Sequence, residues 1–400
     1  MLLVGIASVP VHAAGVRDRQ WHLDTMGAEK IWQLSTGGGV TVAVIDSGVE
    51  KGHPDLSGRV LKGKDFAPRE AGDEFTDYTG HGTSMAGLIA GTGQADGGRG
   101  AFGLAPGSKI LPVRVPGSGG GQGGQAAADR EFSTVIPEAI RFAVDSGAKV
   151  LDISQGSAAG SQQLTDAVKY ALDKGTLVFA SVGDSGDKDN RPQYPGATPG
   201  VVGVGAVDKK LTRIPISQHG PQVDLVAPGE DTVAACGGGR VCTFSGTGGA
   251  TALASAAAAL IWSKHPDWTN NQVLKAMLNT IAAPTEGPRR NNYIGHGAIR
   301  PLRALKTPGD PGPAGFRPIE DLDETLSTSP SGVPSAGVTS AAPATAAPVP
   351  APAAQEKTDE GGGTGLWIGL GVGAAVLIGA AVAVSVLRSR RSRGGERGPR

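Results

Sequence analysis

Four short apolar runs stand out along the chain. They are VTVAVID (40–46), AKVLDIS (148–154), TLVFAS (176–181) and VVGVGAV (201–207), each continuous, rich in β-branched residues and bounded by Gly, Asp or Pro. Runs of this kind predict strands buried on both faces. Segments with helical spacing fall between and after them: GHGTSMAGLIAG (80–91), STVIPEAIRFAVDSG (133–147), SQQLTDAVKYALDKG (161–175), ATALASAAAALIWSKH (250–265) and TNNQVLKAMLNTI (269–281). Strands alternating with helices predict an α/β domain with a mostly parallel central sheet flanked by helices on both faces. In such sheets, reactive groups gather at the carboxyl ends of the strands. No internal repeat interrupts the pattern.

The pattern breaks at both ends. From 306 to 365 the chain turns to Pro, Ala, Ser and Thr, as in TSPSGVPSAGVTSAAPATAAPVPAPAAQ. Too little apolar surface is present there to fold, so an extended tether is expected and the folded domain spans 20–305. Residues 366–387, LWIGLGVGAAVLIGAAVAVSVL, carry no charge and are long enough to cross a bilayer as one helix. The tail 388–400 holds six arginines, which places it in the cytoplasm and the folded domain outside the cell membrane. Residues 1–14 combine a short apolar run with Val11 and Ala13 at signal-peptidase spacing. That segment has no positive start, so it is either a shortened signal peptide or a buried strand.

Composition narrows the function further. The formal net charge is +0, with 37 basic and 37 acidic residues, and gives no sign of nucleic-acid binding. The two cysteines, Cys236 and Cys242, flank a glycine-rich stretch. They could pair or hold a metal, but no His or further Cys lies nearby in sequence, which favours a disulfide in an extracytoplasmic domain. The glycine-rich GSGGGQGGQ (117–125) lacks the Lys-Ser/Thr of a phosphate loop and is expected to be flexible.

Two residues are candidates for chemistry. Asp46 ends the first strong strand, where a parallel sheet presents reactive groups. His81 sits between glycines at the start of a helix of small residues, a setting in which the backbone can approach a neighbour closely. The segments VAVIDSGV, HGTSMAGLIAG and SGTGGATA follow one another in that order, and the chain from 21 to 300 resembles the subtilisin-like serine proteases (S8 family). APGSKILPVRV, KVLDIS, YPGATPGVVGVGAVD and VDLVAPGE belong to the same resemblance. With the tether, span and basic tail, the layout is similar to the mycosins, the membrane-anchored subtilases of type VII secretion systems.

That resemblance implies acyl transfer by a Ser-His-Asp triad, with Asp46 orienting His81 and His81 acting as base. Ser154 and Gly156 of DISQG would line the substrate cleft through backbone groups. HPDL (53–56) resembles a stretch near which some subtilases bind a structural calcium; its one acid is Asp55, and a plain turn is the alternative. No other cofactor and no other metal is implied. A protein or peptide would be the ligand, and type VII secretion machinery a partner.

The chain departs from the family at two places. The family's nucleophile motif is Gly-Thr-Ser, one variable residue, then Ala. Gly246, Thr247 and Ala250 match, but the serine position is Gly248. Ser245 lies upstream of the Gly-Thr pair, and Ser255 lies well inside the helix. The oxyanion position, Asn in the family, is Asp184 in FASVGDSGD. An ionised carboxylate there repels a developing oxyanion instead of donating to it. The expectation is a pseudoprotease that binds peptides or supports a secretion complex. The alternative is an active endopeptidase using Ser245 or Thr247 as an unforeseen nucleophile.

Overall fold

The computed structural model describes residues 15–67, 69–117 and 125–321. Helices α1 (Trp21–Met26) and α2 (Ala28–Trp32) lead into strand β1 (Thr41–Asp46), the two-residue β2 (Lys64–Asp65), α3 (His81–Ala90), the short α4 (Ala95–Gly98) and β3 (Lys109–Arg114). Next come α5 (Gln125–Asp145), β4 (Val150–Ile153), α6 (Gln162–Asp173), β5 (Leu177–Ser181), β6 (Val202–Val207) and β7 (Leu225–Pro228). The hairpin β8 (Thr232–Cys236) and β9 (Arg240–Phe244) precedes α7 (Thr247–Lys264), α8 (Asn270–Thr280) and α9 (Pro301–Lys306).

Seven strands form one sheet in the order β2-β3-β1-β4-β5-β6-β7, and all its pairings are parallel. Strand β1 shows why its sequence reads as a continuous apolar run. Val42 and Val44 pack into one core with α3 and α7, while Ala43 and Ile45 pack into a second core with α5 and α6. Successive side chains alternate between the faces, and both faces are dry. Helix α7 is buried from Thr247 to Trp262. Its alanines keep the helix narrow enough to lie directly on β4 to β7. Local caps fix other helix starts: Ser161 accepts from Leu164 N, and Thr269 with Gln272 forms a reciprocal capping box.

The four strands expected from the pattern are present within two residues at each end. Strands β3 and β7 and the β8–β9 hairpin carried no clear pattern. Pro112 interrupts β3, β7 has only four residues, and β9 alternates between exposed and half-buried positions. Past α9 the described chain stays on the domain. Gln272 Nε2 donates to the Gly312 carbonyl at 2.9 Å, Gly200 N donates to Asp321 Oδ2 at 2.8 Å, and Ile319 is buried. Among the described residues no helix is long and apolar enough to cross a membrane. The expected signal segment 1–14, the tether beyond 321, the span 366–387 and the tail 388–400 all lie outside the described residues.

Strand order reverses on either side of β1, whose neighbours β3 and β4 both come later in the chain. Such a switch point opens a crevice at the carboxyl ends of the strands. Asp46, Ser154 and Asp184 stand at the ends of β1, β4 and β5, so the sheet itself gathers them.

Candidate active site

Asp46 is fully buried at the end of β1, and its Oδ1 collects donors from three elements. His81 Nδ1 lies 2.8 Å away, Gln155 Nε2 2.9 Å and Ser47 N 2.7 Å. Burial alone would raise this carboxyl. The His81 charge and hydrogen bond, with Gln155 and Ser47, hold it below the usual carboxylate range. For His81 the sign is opposite: burial would lower it, but the Asp46 carboxylate overrides that and raises it to about 9. The ring is 40 % exposed on its cleft side, so water screens part of this attraction. The pairing favours an imidazolium facing a carboxylate.

A second network seats His81. Asp77 Oδ1 accepts from Ser47 Oγ at 2.8 Å and from Gly80 N at 2.8 Å, and its Oδ2 accepts from Thr83 N at 2.8 Å. It thereby satisfies amides at the start of α3, where intrahelical partners are missing. Ser47 Oγ also accepts from Gly82 N at 3.1 Å. A Cβ on Gly82 would fall 2.2 Å from the Gly48 carbonyl oxygen, so only glycine lets α3 approach β1 this closely.

The other side of the cleft is different. A Cβ built on Gly248 would stand 3.4 Å from His81 Nε2 and 3.3 Å from both the Cβ and the carbonyl oxygen of Ser154. This is where a nucleophile would meet its base, and the chain supplies no side chain there. Gly249 is another matter, because a Cβ on it would press within 2.8 Å of the Phe244 ring. A side chain at 249 would require the Phe244 ring to move, whereas one at 248 meets no left-handed backbone and requires Ser154 to give by only a few tenths of an ångström.

Asp184 occupies the rim beside the start of α7. Its Oδ1 accepts from Thr247 N at 2.8 Å and from Thr247 Oγ1 at 2.9 Å. The carboxylate thus sits at the positive end of that helix. Crowding by the protein raises the Asp184 carboxyl, opposed by the Thr247 bonds, and its exposed cleft-facing surface moderates the shift. Gly156 and Ser154 line a cleft of about 650 Å³ that also contains Asp184, His81 and Thr247.

The hydroxyls of Thr247, Ser245, Ser255 and Ser154 are all engaged. Thr247 Oγ1 bonds Asp184. Ser245 Oγ lies on the exposed β8–β9 side, accepting from Asp231 N at 2.9 Å. Ser255 Oγ donates to buried Asp152 Oδ1 at 3.0 Å, and Ser154 Oγ to Asp152 Oδ2 at 3.0 Å. Burial, with help from nearby Asp46, raises the Asp152 carboxyl to about 7.

Cys236 and Cys242 are joined as a disulfide that closes the β8–β9 hairpin beside His81. Asp55, the one acid of HPDL, accepts from Ala95 N at Oδ1 (2.8 Å) and from Ala101 N at Oδ2 (2.9 Å). Among the described residues no group of three or more His, Cys, Asp or Glu side chains is arranged to hold a metal ion, so no such cluster supports calcium beside Asp55. Asp77, Ser47, Gln155 and Asp152 were not singled out in the sequence. Asp77 carries a weak signal, an acid just before a helix start. Gln155 carries none, because its partner is 109 residues away.

An Asp-His pair at the carboxyl edge of this seven-stranded parallel sheet, facing the start of a long buried helix, defines the frame of a subtilisin-like serine peptidase. The profile of the subtilase family matches residues 37–297, and the chain belongs to that family. It is 36% identical over 247 residues to an intracellular serine protease of Paenibacillus polymyxa, covering 60% of this chain and 71% of that protein. It is 30% identical over 289 residues to thermitase of Thermoactinomyces vulgaris, covering 72% of this chain and 96% of that one. Among solved structures it resembles MycP1 from Mycobacterium smegmatis (TM-score 0.65, 26% identity, 78% of this chain and 91% of that one). It also resembles the MycP3 protease from the type VII (ESX-3) secretion system, with TM-score 0.62, 30% identity and coverage of 74% and 90%. Within the subtilases, the chain is mycosin-like.

Proposed function

We propose that this chain is a subtilase homologue that binds peptide segments in its cleft without cleaving them, as a membrane-anchored, extracytoplasmic component of a secretion system. One observation carries this reading: the position 3.4 Å from His81 Nε2 belongs to Gly248, which offers no nucleophile. In subtilisin, a relative used as the general worked case, loss of the serine costs about 10⁶-fold in turnover. Loss of the oxyanion amide costs about 10²–10³-fold. An ionised carboxylate at Asp184, held in place by Thr247, also opposes a developing oxyanion instead of donating to it.

The likeness to MycP1 and MycP3 supports the secretion partner, and the tether and apolar segment of the sequence support the anchor. The second reading, an active endopeptidase, draws on the intact Asp46–His81 pair. Incubating the protein with a peptide library and reading fragments by mass spectrometry separates the two. No cleavage by the native chain, with cleavage by Gly248→Ser, is expected. Cleavage by the native chain favours the second reading.

A further inference from the structure

Among the described residues, the titratable lining of the cleft consists of His81, Asp129, Asp184, Asp189 and Arg191, with Asp46 and Asp152 buried behind it. Each cation already has an anion: His81 is bonded to Asp46, and Arg191 Nε lies 3.2 Å from Asp189 Oδ2. Asp184 differs. Its Oδ1 is held by Thr247, whereas its Oδ2 has no hydrogen-bond partner among the described residues, and the residue is exposed to the cleft.

The substitution therefore does more than remove an oxyanion donor. An amide at this position presents N–H to a carbonyl oxygen, whereas a carboxylate presents an acceptor with a full charge. A ligand's backbone carbonyl meets repulsion there, and an ammonium or guanidinium meets a charge-assisted hydrogen bond. Thr247 and the end of α7 hold the carboxylate in place, so little ordering is needed when a ligand arrives. We infer that Asp184 sets the ligand specificity of this cleft, selecting peptide segments that place a lysine or arginine side chain, or a free amino terminus, against its Oδ2. This rests on the peptide-binding reading above and adds the class of peptide.

The test uses the full chain in detergent and a fluorescein-labelled set of neutral decapeptides, each carrying lysine, norleucine or glutamate at one position. Binding is read by fluorescence anisotropy at neutral pH. At one position, lysine should bind at least about tenfold tighter than norleucine, the increment of one charge-assisted bond, with glutamate weakest. The preference should shrink in added salt, because the site is open to solvent. Asp184→Asn should bring the lysine-to-norleucine ratio close to one, while Asp129→Asn should leave a preference. Peptides that bind with no charge preference, or a preference that survives Asp184→Asn or vanishes with Asp129→Asn, overturn the assignment and leave the cleft a peptide site. If no peptide binds at all, the peptide-binding reading falls, and the assignment falls with it.

Discussion

The two walls of the cleft have fared differently. On the β1–α3 side, Asp46, His81, Ser47, Asp77, Gln155 and Thr83 form a connected network centred on Asp46 Oδ1 and the Asp77 carboxylate. On the β5–α7 side, Gly248 offers no side chain and Asp184 opposes the charge it would be expected to stabilise. The difference follows from what each wall does for the fold. Asp46 is fully buried, and removing its partner strands a charge in a dry interior. Asp77 satisfies the first amides of α3. Those residues are held by folding stability whether or not the site is reactive. A serine at 248 does nothing for packing, and a carboxylate at 184 still satisfies Thr247. The Asp-His pair in this chain therefore does not by itself argue for catalysis, and the proposal of binding without cleavage rests on the other wall.

This contrast can be broken from the impaired wall first. Restoring Gly248→Ser places a Cβ at contacts of 3.3–3.4 Å that a small shift of Ser154 accommodates. In that background, adding Asp184→Asn should raise turnover of a peptide substrate by about 10²–10³-fold, the value of one oxyanion donor. Equal turnover with either residue at 184 contradicts the role assigned to that position.

The intact wall is tested by stability. His81→Ala leaves Asp46 buried without its cation and should cost about 2 kcal/mol near neutral pH, less than a fully buried pair because the ring is 40 % exposed. The pair's contribution has a defined pH window. His81 is raised, so the stabilisation is complete below its ordinary value of 6.5 and is lost as pH rises through about 9. Denaturant melts of native and His81→Ala protein should converge above that range. A constant difference from neutral to alkaline pH contradicts the pairing.

Asp152 sharpens the comparison between the walls, because it lies behind both. Its carboxyl is raised to about 7 from 3.8, so the folded chain holds that proton more tightly than the unfolded one. Stability from this group is present below the ordinary carboxylate range and is lost as pH rises through about 7. Asp152→Asn, which keeps one acceptor for Ser255 while Ser154 Oγ can donate to the Gly248 carbonyl, should stabilise the protein at pH about 8 by roughly 1–2 kcal/mol relative to acid conditions. No change in the pH profile of melting contradicts the shift. The smallest effect concerns the hairpin. Replacing Cys236 and Cys242 together by Ala should cost up to about 2 kcal/mol, since the closed loop is short.

Much of the frame was legible in the sequence because its signals are local. Four apolar strand runs, five helical patterns, and Asp46 and His81 in their glycine-rich settings all appear within a dozen residues each. The loss at Gly248 was legible for the same reason. What was not legible depends on long-range contact. Gln155 reaches Asp46 across 109 residues, and Asp152 meets Ser255 across 103. Asp55 accepts the amides of Ala95 and Ala101, contacts that the HPDL stretch alone does not announce. Pairing of polar groups across the fold leaves no periodic trace in the chain.

The most direct measurement is intact-mass analysis after treatment of the native chain and Gly248→Ser with a fluorophosphonate probe. Peptide binding without chemistry predicts no adduct on the native chain and one adduct at residue 248 in the variant. An adduct on the native chain, mapped to any residue of the cleft, contradicts it.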